Sequence, residues 1–132
     1  MAYSATKAEL KRILIVDDMQ DNISLLEAIL VEEGYVVDTA NNGKTALAKV
    51  QTTPPDLILL DAMMPGMDGY ELTRRIRERK DLPFIPIVLI TAYENMNAAQ
   101  ALDLGANDFV RKPIEYDELM ARVRASLRLK AT

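Results

Sequence analysis

Apolar and polar positions are organised along this chain in blocks. Three short apolar runs, Ile13-Leu14-Ile15-Val16, Leu57-Ile58-Leu59-Leu60 and Ile87-Val88-Leu89-Ile90, each end in polar residues: Asp17-Asp18, Asp61 and Thr91. Unbroken runs of this length predict strands buried on both faces, as in a parallel sheet. Val36-Val37 and Phe109-Val110 predict two weaker strands. Between the strands the apolar positions fall at helical spacing. Ile23, Leu26 and Leu30 share one face of a first helix, which stops at Gly34, the residue type suited to a left-handed C′ position. A second helix runs from about Lys44 to Val50 and is closed by Pro54-Pro55; a third carries Tyr70, Leu72 and Ile76, with Asp68 a candidate N-cap. Ala98, Ala101 and Leu102 belong to a fourth helix ending at Gly105, and Leu119, Val123 and Leu127 place a fifth over about Tyr116 to Leu129.

The order is therefore βα repeated five times. Such alternation calls for a parallel sheet with helices on both faces and right-handed crossovers, an α/β architecture. A length of 132 residues fits one domain. No internal repeat, low-complexity stretch or linker interrupts it, so the domain is expected over 12–129, with tails at 1–11 and 130–132.

Composition narrows the chemistry. The chain is 49% hydrophobic but only 5% aromatic, so its core is expected to be built from Leu, Ile, Val, Ala and Met. It contains neither Cys nor His. That excludes disulfides, thiolate and imidazole metal sites, a histidine base and phosphohistidine on this chain. The formal net charge of −4 argues against direct nucleic-acid binding, which draws on a basic footprint. Arg74, Arg75, Arg77, Arg79 and Lys80 form a local basic run, but Glu71, Glu78 and Asp81 are interleaved with it, and a solvated helix face is the expectation. No run of about 18 apolar residues is present, and Met1–Lys11 lacks an apolar signal core. A cytoplasmic protein with no membrane partner is the expectation.

The polar residues that close the apolar runs share a location. In open α/β sheets, ligands bind beyond the carboxyl ends of the strands. Asp17 and Asp18 follow the first strand, Asp61 ends the third, Thr91 follows the fourth and Lys112 follows the fifth. If strands one, three, four and five lie side by side, these residues meet in one cleft. Three carboxylates together repel one another unless a cation is present. With oxygen ligands alone, a hard ion such as Mg2+ is expected over zinc. Lys112 adds a positive charge and Thr91 a hydroxyl, a set suited to stabilising a transferring phosphoryl group. Each residue alone has an ordinary explanation as a cap, turn or surface residue; four strand ends carrying complementary chemistry do not.

The stretches ILIVDD, DLILLDAMMPGMDGYEL, IVLITA and GANDFVRKP resemble the receiver domains of two-component response regulators, over Arg12 to Leu129. The resemblance implies a flavodoxin-like fold with strand order 2-1-3-4-5. It implies that Asp61 takes a phosphoryl group from a phosphohistidine on a histidine kinase or phosphotransfer protein. It also implies that Asp18 ligates Mg2+ (or Mn2+) directly, Asp17 chiefly through water, and Met63 through its backbone carbonyl. Lys112, with a cis bond to Pro113, would pair with phosphoryl oxygens; Thr91 and the backbone N–H of Ala92 would bind them. Phe109 stands at the switch-aromatic position, where a plain core role is an equal alternative. Pro65–Gly69 takes a structural role beside the acceptor. Met63 and Tyr93 occupy the positions that tune hydrolysis, and their bulk and lack of a carboxylate or amide imply slow self-dephosphorylation.

Receivers of this kind switch the face made by the fourth and fifth helices and the fifth strand. Arg122, Arg124 and Arg128, with Asp103, Asp108 and Arg111, would allow ion pairs across a phosphorylation-favoured dimer there. Such a domain is not a conventional enzyme, since it catalyses only its own phosphorylation and slow dephosphorylation. Two rivals belong to other classes. A phosphohydrolase of the haloacid dehalogenase type would need two aspartates separated by one residue after the first strand, and the acids here are adjacent. A pseudo-receiver that only binds partners would not need the complete set of Asp17, Asp18, Asp61, Thr91 and Lys112.

Overall fold

The unbroken apolar runs form the middle of a parallel five-stranded sheet. In the computed structural model, which describes residues 10–92 and 98–131, the strands are β1 (Arg12–Val16), β2 (Val36–Ala40), β3 (Leu57–Asp61), β4 (Ile87–Thr91) and β5 (Asp108–Arg111). The helices are α1 (Gln20–Glu32), α2 (Gly43–Thr52), α3 (Gly69–Glu78), α4 (Ala98–Asp103) and α5 (Tyr116–Ala131). Strand order is β2-β1-β3-β4-β5 and every pairing is parallel. This is the expected α/β order. Every residue of β3 and β4 is buried, whereas β2 and β5, at the two edges, are only partly covered. The strength of each sequence signal therefore followed the strand's place in the sheet.

Alternate strand residues feed two separate cores. Ile13, Ile15, Leu57, Leu59, Val88 and Ile90 pack with Ile23, Leu26 and Leu30 of α1 and Leu119, Val123 and Leu127 of α5. Leu14, Val16, Ile58, Leu60, Ile87 and Leu89 pack on the other face with Ala46 and Val50 of α2 and Leu72 and Ile76 of α3. Each fully buried Leu or Ile contributes roughly 1.5–3 kcal/mol relative to exposure, so neither face could be left bare. Among the described residues, no helix is long and apolar enough to cross a membrane.

The predicted stops and starts have identifiable causes. At the end of α1, Gly34 has φ +96°; its N–H reaches Val31 O and that of Tyr35 reaches Leu30 O, a Schellman closure. At the start of α3, the Asp68 carboxylate accepts the Glu71 N–H at 2.9 Å, the N-cap bond expected of it.

The basic run of α3 needs a correction. Arg74, Arg75 and Arg79 pair with Glu78, Glu71 and Asp81 at the surface. Arg77 instead turns inward at the end of the sheet where β4 and β5 begin. Its Nε donates to Gly105 O at 2.9 Å, Nη1 to Ile85 O at 2.6 Å and Nη2 to Asn107 Oδ1 at 2.8 Å. Its guanidinium also lies 5.2 Å from the centre of the Phe84 ring. Asn107 Oδ1 additionally accepts the Ile87 N–H at 2.9 Å, so one arginine ties α3 to the entries of both β4 and β5. Composition alone could not separate Arg77 from its neighbours, because its partners lie 8 to 30 residues away.

Candidate functional site

Sheet register brings the strand-end acids together. Val16 pairs with Leu60, so the residues that follow, Asp17 and Asp61, emerge side by side where strand order reverses between β1 and β3. Asp17 is 2% exposed and Asp61 4%, whereas Asp18 is open to solvent. One carboxylate oxygen from each of the three lies within 4.8 Å of the other two. From beyond β5, Lys112 Nζ stands 3.4 Å from Asp61 Oδ1, an ion pair longer than a close charge-assisted hydrogen bond. The Lys112–Pro113 peptide is cis. Three carboxylates and one ammonium leave a formal charge of −2 in this cleft. An all-oxygen set with that charge fits a hard divalent cation.

The electrostatics carry the mark of that crowding. Burial raises the Asp61 pKa above the ordinary carboxylate value, and the Asp17 charge raises it further. Lys112 and the Met63 N–H, which donates to the Asp61 carboxylate, pull the other way without cancelling the rise. Asp17 is held firmly: its Oδ1 accepts the Met19 N–H at 2.9 Å and its Oδ2 accepts Asn22 Nδ2 at 3.1 Å.

The remaining expected residues sit around this cluster. Thr91 is buried at the end of β4, with the Lys112 N–H donating to its carbonyl at 2.7 Å. Ala92, which follows it, is exposed, as is the Met63 side chain. Phe109 is partly buried against the α2–α3 core, with Arg111 5.9 Å from its ring centre. Tyr93 lies outside the described residues. Arg122 pairs within the chain, both of its bonds to the Asp108 carboxylate being 3.1 Å, with Glu118 at 3.8 Å.

Two residues of the site have contacts the sequence reading did not give: Asn22 was not singled out, and Gly69 stood only as the end of the loop Pro65–Gly69 beside the acceptor. Gly69 opens α3 against the strand end itself: its N–H donates to Ala62 O, and a Cβ there would stand 2.5 Å from the Asp61 carbonyl oxygen and 2.8 Å from Ala62 Cα. Asn22 is the other. Its signal was an amide five positions beyond a strand-end acid, which places it on the first turn of the next helix and within reach of that acid.

The chain matches the family model described as "Response regulator receiver domain" over residues 13–124. It is 49% identical over 120 residues to the response regulator PleD of Caulobacter vibrioides, an alignment covering 90% of this chain and 26% of that protein. It is 43% identical to the alkaline phosphatase synthesis transcriptional regulatory protein PhoP of Bacillus subtilis, covering 89% of this chain and 49% of PhoP. The chain thus spans between about a quarter and a half of the length of these relatives. Among solved structures, it is similar to the chemotaxis protein CheY4 of Vibrio cholerae, with TM-score 0.81, 28% identity and coverage of 89% of this chain and 98% of that one. A CheY-like receiver domain protein from Methanospirillum hungatei superposes with TM-score 0.85 at 31% identity, covering 93% and 98%. With this fold and this match over most of its length, the chain belongs to the response regulator receiver domain family.

Proposed function

We propose that this receiver domain accepts a phosphoryl group on Asp61 from a phosphohistidine of a histidine kinase or phosphotransfer protein. The observation that carries the reading is the cluster itself: three carboxylates within 4.8 Å and the Lys112 ammonium 3.4 Å from Asp61. An Asp61 carboxylate oxygen attacks phosphorus, the phosphorus–nitrogen bond of the donor breaks, and the imidazole leaves, giving an acyl phosphate. Asp17, Asp18, Asp61 and the Met63 carbonyl would hold Mg2+, with Mn2+ as an alternative. Bound there, the cation would supply positive charge to offset that of the carboxylates and the incoming phosphoryl oxygens. Lys112 supplies a second positive charge beside Asp61, while the Thr91 hydroxyl and the Ala92 N–H donate to phosphoryl oxygens. Burial of Asp61 and Thr91 limits the water that reaches the reacting atoms.

The phosphorylated state is read through the face formed by α4, β5 and α5, with Thr91 and Phe109 as the moving parts and a homodimer as one outcome. The exposed Met63 and the bulky Tyr93 offer no group to orient an attacking water, so the acyl phosphate decays slowly. Incubation with Mg2+ and acetyl phosphate should add one phosphoryl group by intact-mass measurement, and Asp61→Asn should abolish it. An adduct that survives Asp61→Asn would overturn the assignment. Decay of the wild-type adduct as fast as that of Met63→Asn would overturn the slow-hydrolysis part alone.

A further inference from the structure

Resting on that reading of the cleft, we infer that Asn22 is a positioning residue: from the first turn of α1 its amide orients the Asp17 carboxylate for the cation. Asp17 and Asp18 are adjacent in sequence but differ in how they are held. Among the described residues no hydrogen bond or ion pair restrains the exposed Asp18 carboxylate, which can rotate to meet an ion. Asp17 is buried, and each of its oxygens accepts one N–H, from Met19 on Oδ1 and from Asn22 on Oδ2. The terminal torsion of an aspartate is soft. One donor on each oxygen removes that softness, and each oxygen keeps a further acceptor site for the ion or its water.

The backbone explains why an amide does this. The N-cap position of α1 is Met19, whose side chain makes no capping bond. Asp17 takes over from two residues upstream, closing a turn onto the Met19 N–H. Asn22 stands three residues into the helix and reaches back to the same carboxylate, much as the third helical residue of a capping box reaches back to its cap. A carboxylate at 22 would add a fourth negative charge, and an apolar residue would leave Asp17 Oδ2 without its donor. Asn supplies a donor without charge.

A helix-starting role alone would affect folding and leave the affinity for the ion untouched, which makes the two separable. In Mg2+ titrations of the whole chain, followed by calorimetry and by the Mg2+-dependent rise in Tm, Asn22→Ala should bind about tenfold more weakly, the lower end of the range for removing a metal ligand's supporting hydrogen bond. Asn22→Ser, which suits a helix start but is too short to reach Asp17, should weaken binding equally, while Asn22→Gln should recover part of it. Wild-type affinity in Asn22→Ser or Asn22→Ala would overturn the positioning role and leave the phosphoacceptor reading standing. If the wild type itself shows no Mg2+ titration, and Asp18→Asn behaves identically, both readings fall together.

Discussion

The two ends of the sheet handle buried charge in opposite ways. Where β4 and β5 begin, Arg77 is partly buried, with three of its nitrogens donating and an aromatic face beneath it. Where β1 and β3 end, Asp61 is buried with another carboxylate as its neighbour and a single loose ammonium in partial compensation. A paired, hydrogen-bonded charge of the first kind holds elements together. An underpaired charge of the second kind costs stability until something positive arrives. The contrast separates scaffold from site without reference to any relative.

The comparison breaks most readily at Arg77. Arg77→Met keeps an apolar stem but leaves the Gly105 and Ile85 carbonyls without their guanidinium donors, while Asn107 Oδ1 keeps the Ile87 N–H. The substitution should cost about 2–3 kcal/mol, the scale of leaving buried acceptors without donors. A lower midpoint in urea at unchanged slope, with an unaltered Mg2+ response, is the expected result. A small change would mean that water replaces the guanidinium.

Gly69→Ala tests the join between scaffold and site. Its Cβ would collide with backbone, not with a flexible side chain, so α3 must shift away from β3. A cost of about 1–3 kcal/mol is expected for such overpacking, together with slower phosphorylation by acetyl phosphate. A loss of stability with an unchanged phosphorylation rate would show that the helix position does not matter to the acceptor.

Asp61→Asn should have the opposite sign to Arg77→Met. Without metal it relieves an unfavourable charge, and Tm should rise by a few degrees near neutral pH. The folded pKa of Asp61 lies above its ordinary value of 3.8, so between the two values the folded protein binds more protons than the unfolded chain. The wild type's contribution from this residue therefore improves as pH falls through the folded value and levels off below the ordinary one. Thermal melts of both proteins across that window should converge. A constant difference would assign the effect to packing instead of charge.

The smallest effect is expected at the exposed i,i+4 pair of Arg74 and Glu78. Arg74→Ala should change stability by no more than about 0.5 kcal/mol, and less in high salt. Together with Arg77→Met, it would show that arginines three residues apart in one helix differ in worth according to what they touch.

That pair also shows what was legible in advance. Strands such as Leu57–Leu60, buried on both faces, could be read as unbroken apolar runs, and Gly34 and Asp68 announced their helix boundaries through backbone chemistry that is local. The positions of Asp17, Asp18, Asp61, Thr91 and Lys112 were legible because each closes a run. Arg77 stood only as one of a basic run, Asn22 was not singled out, and Gly69 stood only as the end of the loop Pro65–Gly69. What distinguishes them is a partner brought close only by folding: carbonyls of two distant loops, a carboxylate across the β1–α1 turn, and the backbone of β3.

The contact at Gly69 bears on mutational tolerance. Its missing side chain is filled by the carbonyl of the residue that carries the chemistry. In a saturation survey scored on folding, position 69 should behave like the core; scored on phosphorylation, it should rank with Asp61, although it donates and accepts nothing in the reaction. Intolerance at a site's edge can thus record occupied volume, and a residue with no reactive group can be as constrained as the one that reacts.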